Sequence, residues 1–135
     1  MAFPILVTAA IIEDDGKFLI TQRPLDKHNG GRWEFPGGKV DFGEDPRLGI
    51  EREIDEELGI TVKAEELLEY SSHVYNSEKH IILLGIHCAF THGEIEKKEI
   101  ADFKWVTLDE MNSYNVTEAD LPFIEQLREI ESNKC

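Results

Sequence analysis

Cysteine is nearly absent from this 135-residue chain: only Cys88 and Cys135 occur. Two cysteines so placed give neither a disulfide framework nor a zinc-ligand spacing. A reducing, cytoplasmic setting is expected. Basic residues are also scarce, with 14 Lys plus Arg against 28 Asp plus Glu, a net charge of −14. A general binder of nucleic-acid backbone needs a basic face, so a polymer partner is disfavoured. No repeat, low-complexity tract or linker interrupts the chain, and one domain over residues 1–135 is expected. The longest apolar run, Phe3 to Ile12 (FPILVTAAII), is too short to span a bilayer and lacks the basic flank of a signal peptide. It reads as a buried strand, and no membrane partner is expected.

The elements alternate. Ile5–Ile12 and Phe18–Gln22 read as strands joined by an Asp14-Asp15-Gly16 turn. Residues 24–32 are polar loop. Trp33–Pro36 is short and extended, and Gly37-Gly38 end it. Residues 45–58 carry the strongest helix signal, with Asp45 as N-cap, Pro46 in the first turn and Gly59 as the stop. Ile60–Lys63, Leu67–Val74, His80–Phe90 and Phe103–Val106 read as further strands, with a turn over Asn76–Lys79. Leu108–Tyr114 reads as a helical turn. Leu121–Ile130 closes the chain as a helix, its apolar residues Leu121, Ile124, Leu127 and Ile130 spaced by three. This order predicts an α/β fold with a mixed sheet.

The helix over 45–58 carries the chemistry. Ile50, Ile54 and Leu58 share one stripe, while Glu53, Glu56 and Glu57 share the next. Like charges so placed destabilise a helix by about 0.2–0.5 kcal/mol per pair. They form either a solvated acidic face or the ligands of a hard divalent cation, which turns repulsion into coordination. Gly49 adds a cost of about 1 kcal/mol against alanine. It lies one turn before Glu53, where it allows the preceding loop to come close. Gly37-Gly38 permits a turn that aims the Gly38 carbonyl at the same cation. Glu44 and Arg52 are placed to tie loop to helix by a charge-assisted hydrogen bond.

The run from Gly38 through Glu44, then Arg52-Glu53-Ile54-Asp55-Glu56-Glu57-Leu58-Gly59-Ile60, resembles the Nudix box. That pattern is a glycine, five residues, a glutamate, seven residues, then Arg-Glu-aliphatic-any-Glu-Glu-any-Gly-aliphatic. Every specified position is filled over residues 38–60. Trp33-Glu34-Phe35-Pro36-Gly37-Gly38 before it is similar to the MutT-like branch. The resemblance implies a three-layer α/β/α sandwich with a mixed central sheet. It also implies hydrolysis of nucleoside triphosphates to monophosphate and pyrophosphate, with Mg²⁺ as cofactor and Mn²⁺ as a substitute.

Carried over residue by residue, the resemblance implies metal ligands at Gly38, Glu53, Glu56, Glu57 and Glu99. Glu99 is equally placed to be plain surface in the charged 93–102 loop. The expected catalytic set is Glu53, Glu56 and Arg52, with Glu53 as first choice of general base and Glu56 or Glu99 as alternatives. Arg23 and Lys39 are expected at the phosphates, although Lys39 also reads as surface charge. Asp120 is expected either to read the base or to cap the last helix, and Phe35 either to line the base pocket or to fill core. The histidines at 28, 73, 80, 87 and 92 show no metal spacing. No proline lies between Pro46 and Pro122, which counts against an ADP-ribose hydrolase, while Tyr75 keeps a dinucleoside polyphosphate open. A silent nucleotide-binding module is disfavoured because every box glutamate is present. The partner is a small nucleotide, bound by a monomer or a homodimer.

Overall fold

The computed structural model describes residues 2–134, so Cys135 lies outside the described residues. Strands β1 (Ile5–Asp14), β2 (Lys17–Gln22), β3 (Trp33–Glu34) and β4 (Gly37–Lys39) come first. Helix α1 (Pro46–Leu58) follows, then β5 (Ile60–Asn76), β6 (Lys79–Gly93) and β7 (Asp102–Val106). Helix α2 (Leu108–Met111), a 3₁₀ turn (Glu118–Asp120) and α3 (Leu121–Ser132) end the chain. The sheet has seven strands in the order β3-β2-β1-β6-β5, with β4 paired to β1 and β7 to β2. β1 and β6 run parallel, and the other pairs are antiparallel, so the sheet is mixed.

β1 shows why the N-terminal run is apolar throughout. Ala9 and Ile11 join one core cluster, packed beneath α2 and α3 through Met111, Phe123 and Leu127. Ala10 and Ile12 join the other, packed beneath α1 through Ile50, Ile54 and Leu58. A strand covered on both faces has no polar side to show. Helix, sheet and helix form the expected three-layer α/β/α arrangement.

The structure corrects four expectations. Gly37-Gly38 do not end an extended segment; with Lys39 they form β4, antiparallel to Val7–Ala9. A Cβ on Gly37 would lie 1.9 Å from the Thr8 carbonyl oxygen, so glycine is what permits this pairing. Ile60–Lys63 and Leu67–Val74 are one strand, β5, because the pairing with β6 continues across a bulge between Ala64 and Leu67. The strands of that hairpin also reach Asn76 and Lys79, which leaves Ser77-Glu78 as the turn. In α3 the buried face is Phe123, Ile124 and Leu127, whereas Leu121 is exposed. At about 100° per residue, a three-residue spacing held from 121 to 130 brings its ends to opposite sides of the helix.

Phe123 sits over Gly85 of β6, where an added Cβ would meet the ring at 2.7 Å. Gly85→Ala is expected to lower stability by about 1–3 kcal/mol through overpacking. Urea denaturation checks this, and a second change, Phe123→Leu, is expected to recover part of the loss.

Candidate active site

Helix α1 is placed at both ends. The Asp45 side chain accepts from the Arg47 amide at 2.8 Å, and Gly59 ends the helix in the left-handed region at φ 72°. The Glu96 amide then donates to the Leu58 carbonyl at 2.8 Å, which docks the 94–101 loop on the helix end. Ile50, Ile54 and Leu58 bury one stripe, so the acidic stripe faces outward.

Arg52 ties this helix to the loop before it. Its Nε donates to Glu44 Oε2 at 2.8 Å and its Nη2 to Glu44 Oε1 at 3.0 Å, a two-pronged pair. Nη1 donates to Glu56 at 3.1 Å, and Asp41 and Glu53 stand 3.3 and 3.4 Å from Nη2. The guanidinium holds the Glu44 carboxyl below its usual range, chiefly through the hydrogen bond, and is itself shifted upward. Gly49 makes room for Glu44: a Cβ there would lie 2.7 Å from Oε1. A side chain of the loop, rather than its backbone, occupies the space opened by the glycine.

Gly38 plays the matching part for Glu53. A Cβ on Gly38 would stand 2.6 Å from the Glu53 carboxyl carbon, so the carboxylate lies directly on the glycine backbone. The Gly38 carbonyl accepts from the Thr8 hydroxyl at 3.1 Å, which fixes its orientation. Glu57 hydrogen-bonds Glu53. Burial first, then that bond and the charges of Glu53, Glu99 and Glu34, push the Glu57 carboxyl up to about 8. The structure thus sets Glu53 against Gly38 with Glu57 beside it, while Glu99 shares a cavity with Glu57. Glu56 is more exposed and turns to Arg52.

Arg23, Phe35, Lys39 and Asp120 line a 360 Å³ cavity that also includes Gly38. Phe35 is both core and cavity wall, 4% exposed and packed against Phe123. Asp120 is 3% exposed. Its Oδ2 accepts from the Phe35 amide at 3.0 Å and the Thr117 hydroxyl at 3.2 Å. It makes no capping bond to α3, because its backbone is helical (φ −90°, ψ −13°) rather than extended as an N-cap requires. The capping alternative is therefore set aside. Burial and the nearby Glu34 charge push its carboxyl up to about 7, against the opposing pull of its hydrogen bonds and of Arg23. A neighbouring 620 Å³ cavity holds Glu57, Glu99 and Lys98.

Sequence reasoning missed Glu34, which pairs with Arg23 at 3.1 Å. Its signal was its position next to Phe35 within the WEFPGG run. Tyr75, considered only for another substrate, lines the smaller cavity with His28 and Lys79. His87, one of the histidines without metal spacing in the sequence, gathers carboxylates in space. Glu13 lies 2.9 Å from its Nε2, and Glu65 and Glu66 lie 3.1 and 3.6 Å from its Nδ1. The β5 bulge supplies both of the latter glutamates. Among the described residues, no helix is long and apolar enough to cross a membrane.

Known proteins share this arrangement. The NUDIX domain family matches residues 3–127. The CTP pyrophosphohydrolase of Escherichia coli (strain K12) is 39% identical over 120 residues, covering 88% of this chain and 87% of that protein. The 8-oxo-dGTP diphosphatase of the same organism is 30% identical over 125 residues, covering 93% and 96%. The solution structure of the E. coli ORF135 protein superposes with a TM-score of 0.87 at 35% identity, covering 98% of this chain and 94% of that one. A MutT protein from Methanosarcina mazei gives 0.85 at 26% identity, covering 98% of each. This chain belongs to the NUDIX domain family, among its MutT-like members.

Beside the raised carboxyl of Glu34, those of Glu57 and Asp120 are raised furthest, so folding takes up protons at these two. Their contribution to stability is complete below the ordinary values, 4.5 for Glu57 and 3.8 for Asp120, and is lost as pH climbs through about 8 and about 7. In EDTA, the melting temperature is expected to fall across that interval, and Asp120→Asn is expected to flatten the fall. Thermal melts over a pH series check both.

Proposed function

We propose that this protein hydrolyses nucleoside triphosphates to nucleoside monophosphate and pyrophosphate, with Mg²⁺ as cofactor. The observation that carries this reading is the Glu53 carboxylate lying on Gly38 with Glu57 beside it, next to cavities lined by Arg23, one of which also holds Glu99. Carboxylates crowded until one holds its proton near pH 8 make a donor set suited to a hard divalent cation. Glu53, Glu56, Glu57, Glu99 and the Gly38 carbonyl would hold it, and Mn²⁺ shares the preference for such oxygens. When bound, the cation offsets the charge of the phosphate chain and lowers the barrier to water attack.

The protein's own residues supply the rest. Arg23 and Lys39 bind the phosphates. Arg52 fixes Glu44 and Glu53, so that loop and helix keep one spacing. Glu53 accepts the proton of the attacking water; Glu56 and Glu99 are the alternative bases. The water oxygen bonds to the β-phosphorus as the bond to the oxygen on the α-phosphorus breaks, which releases monophosphate and pyrophosphate. The base enters the smaller cavity between Phe35 and Tyr75 and meets Asp120. An ionised Asp120 accepts from a cytosine amino group or from the N1–H and amino pair of guanine. The names of the E. coli relatives, a CTP pyrophosphohydrolase and an 8-oxo-dGTP diphosphatase, agree with those two bases.

Glu53→Gln is expected to reduce kcat by about 10²–10⁴-fold. Undiminished Mg²⁺-dependent turnover in that folded variant would remove the assignment. Ion-exchange chromatography is expected to show pyrophosphate, and release of orthophosphate with a diphosphate contradicts cleavage between the α- and β-phosphates. A steady-state panel of canonical and oxidised triphosphates, with ADP-ribose and a diadenosine polyphosphate alongside, identifies the substrate. Asp120→Asn is expected to change preference within that panel by about tenfold or more, since an amide both donates and accepts where a carboxylate accepts.

A further inference from the structure

Arg23 follows the end of β2, and Glu34 lies on β3, whose pairing with β2 sets Thr21 opposite Glu34. That register delivers the carboxylate to the guanidinium. Nη1 donates to both oxygens of Glu34, at 3.1 and 3.3 Å. Nε donates to the His28 carbonyl at 2.7 Å. The Arg23 backbone is held as well, its amide by the Arg32 carbonyl and its carbonyl by the Gly31 amide, each at 2.9 Å. Two of three guanidinium nitrogens are thus committed, and Nη2 makes no hydrogen bond among the described residues.

The ion pair stands between two spaces. Arg23, Glu34 and Gly37 line both the 360 Å³ cavity that contains Asp120 and the 620 Å³ cavity that contains Glu57 and Glu99. We propose that Glu34 is a positioning residue: it locks the Arg23 guanidinium in the wall between the two cavities, presenting its free face to the phosphates of a nucleotide whose base lies on one side and whose phosphate chain lies on the other. The inference rests on the function proposed above.

Glu34 is an unusual choice for this task. It is half-buried, and desolvation lifts its carboxyl despite the pairing with Arg23. An anion in a phosphate-binding wall also repels the ligand. What it supplies in return is orientation: with Nε held by the His28 carbonyl, the carboxylate on Nη1 gives the guanidinium a second, charge-assisted anchor. Its charge reaches both cavities, since it pushes up Asp120 on one side and Glu57 on the other. Arg23 acts on Asp120 in the opposite sense. Tyr75, His28, Lys39 and Lys79 are the other titratable groups lining the Asp120 cavity.

The test compares Glu34→Gln, Arg23→Gln and the double variant with the parental protein, each shown to be folded by circular dichroism. Loss of a charge-assisted clamp on a group that binds ground and transition states alike raises KM with little change in kcat. Glu34→Gln is expected to raise KM for the best triphosphate about tenfold, with kcat within about threefold. The double variant is expected to be no worse than Arg23→Gln, because the glutamate acts through the arginine. A ¹³C-carboxyl NMR titration of the metal-free protein gives a readout independent of turnover. The Asp120 midpoint is expected to move down in Glu34→Gln and up in Arg23→Gln, a pair of opposite shifts that loss of packing does not produce. An unmoved Asp120 midpoint, an unchanged KM, or penalties that add in the double variant overturns the proposal. If the parental protein hydrolyses no triphosphate, the function is wrong, and the titration still reports whether the Arg23–Glu34 pair controls Asp120.

Discussion

Mutual repulsion among carboxylates is the constraint around which this molecule is organised. Three glutamates on one face of α1 push each other apart, and Glu99 and Glu34 add to the field. Such a face is tolerable only if something rigid holds it. Arg52 is that brace: its fork grips Glu44 with two nitrogens while its remaining donors reach Glu56 and Asp41. The clamp joins helix to loop, and the loop leads back through β4 to the edge of β1. Gly38 is therefore held against Glu53 by strand pairing on one side and an ion pair on the other. Gly38 and Gly49 are each required by a carboxylate rather than by a turn.

Much of this was legible in the sequence, for identifiable reasons. The helix announced both ends because Asp45 and Gly59 do chemically distinct things there. Glu44 and Arg52 were each legible as a tie between loop and helix, but that they bind each other was not, because they sit eight residues apart on different elements. The β5 strand was not legible as one unit: Glu65 and Glu66 interrupt its alternation, and only pairing with β6 shows that they occupy a bulge. The buried face of α3 was misread because three-residue spacing approximates helical period over one turn and fails over three. Phe123 belonged to the core because Gly85, distant in sequence, left a hollow for its ring. The carboxylates around His87 come from β1 and β5 while the imidazole is on β6, so no local spacing could reveal them.

Glu34 was the larger omission, and the reason is instructive. Its meaning depends on Arg23, eleven residues earlier, and on a two-residue strand that brings them side by side. Short edge strands carry little periodic signal. The residue that follows this strand sets its amide on Asp120, so the consecutive residues Glu34 and Phe35 link Arg23 to the buried aspartate.

The burial of Asp120 follows the same logic. A carboxylate almost wholly removed from water is costly unless its partners compensate. The Phe35 amide and the Thr117 hydroxyl satisfy one oxygen, and an asparagine would satisfy them equally without any charge to desolvate. The property that the acid alone supplies is a proton that comes and goes near pH 7. Stability therefore does not account for an aspartate at this position, whereas the proposed nucleotide, exchanging hydrogen bonds with its free oxygen, would. A cavity wall of Phe35 and Tyr75, flanked by an arginine locked in place, is where such a ligand meets it.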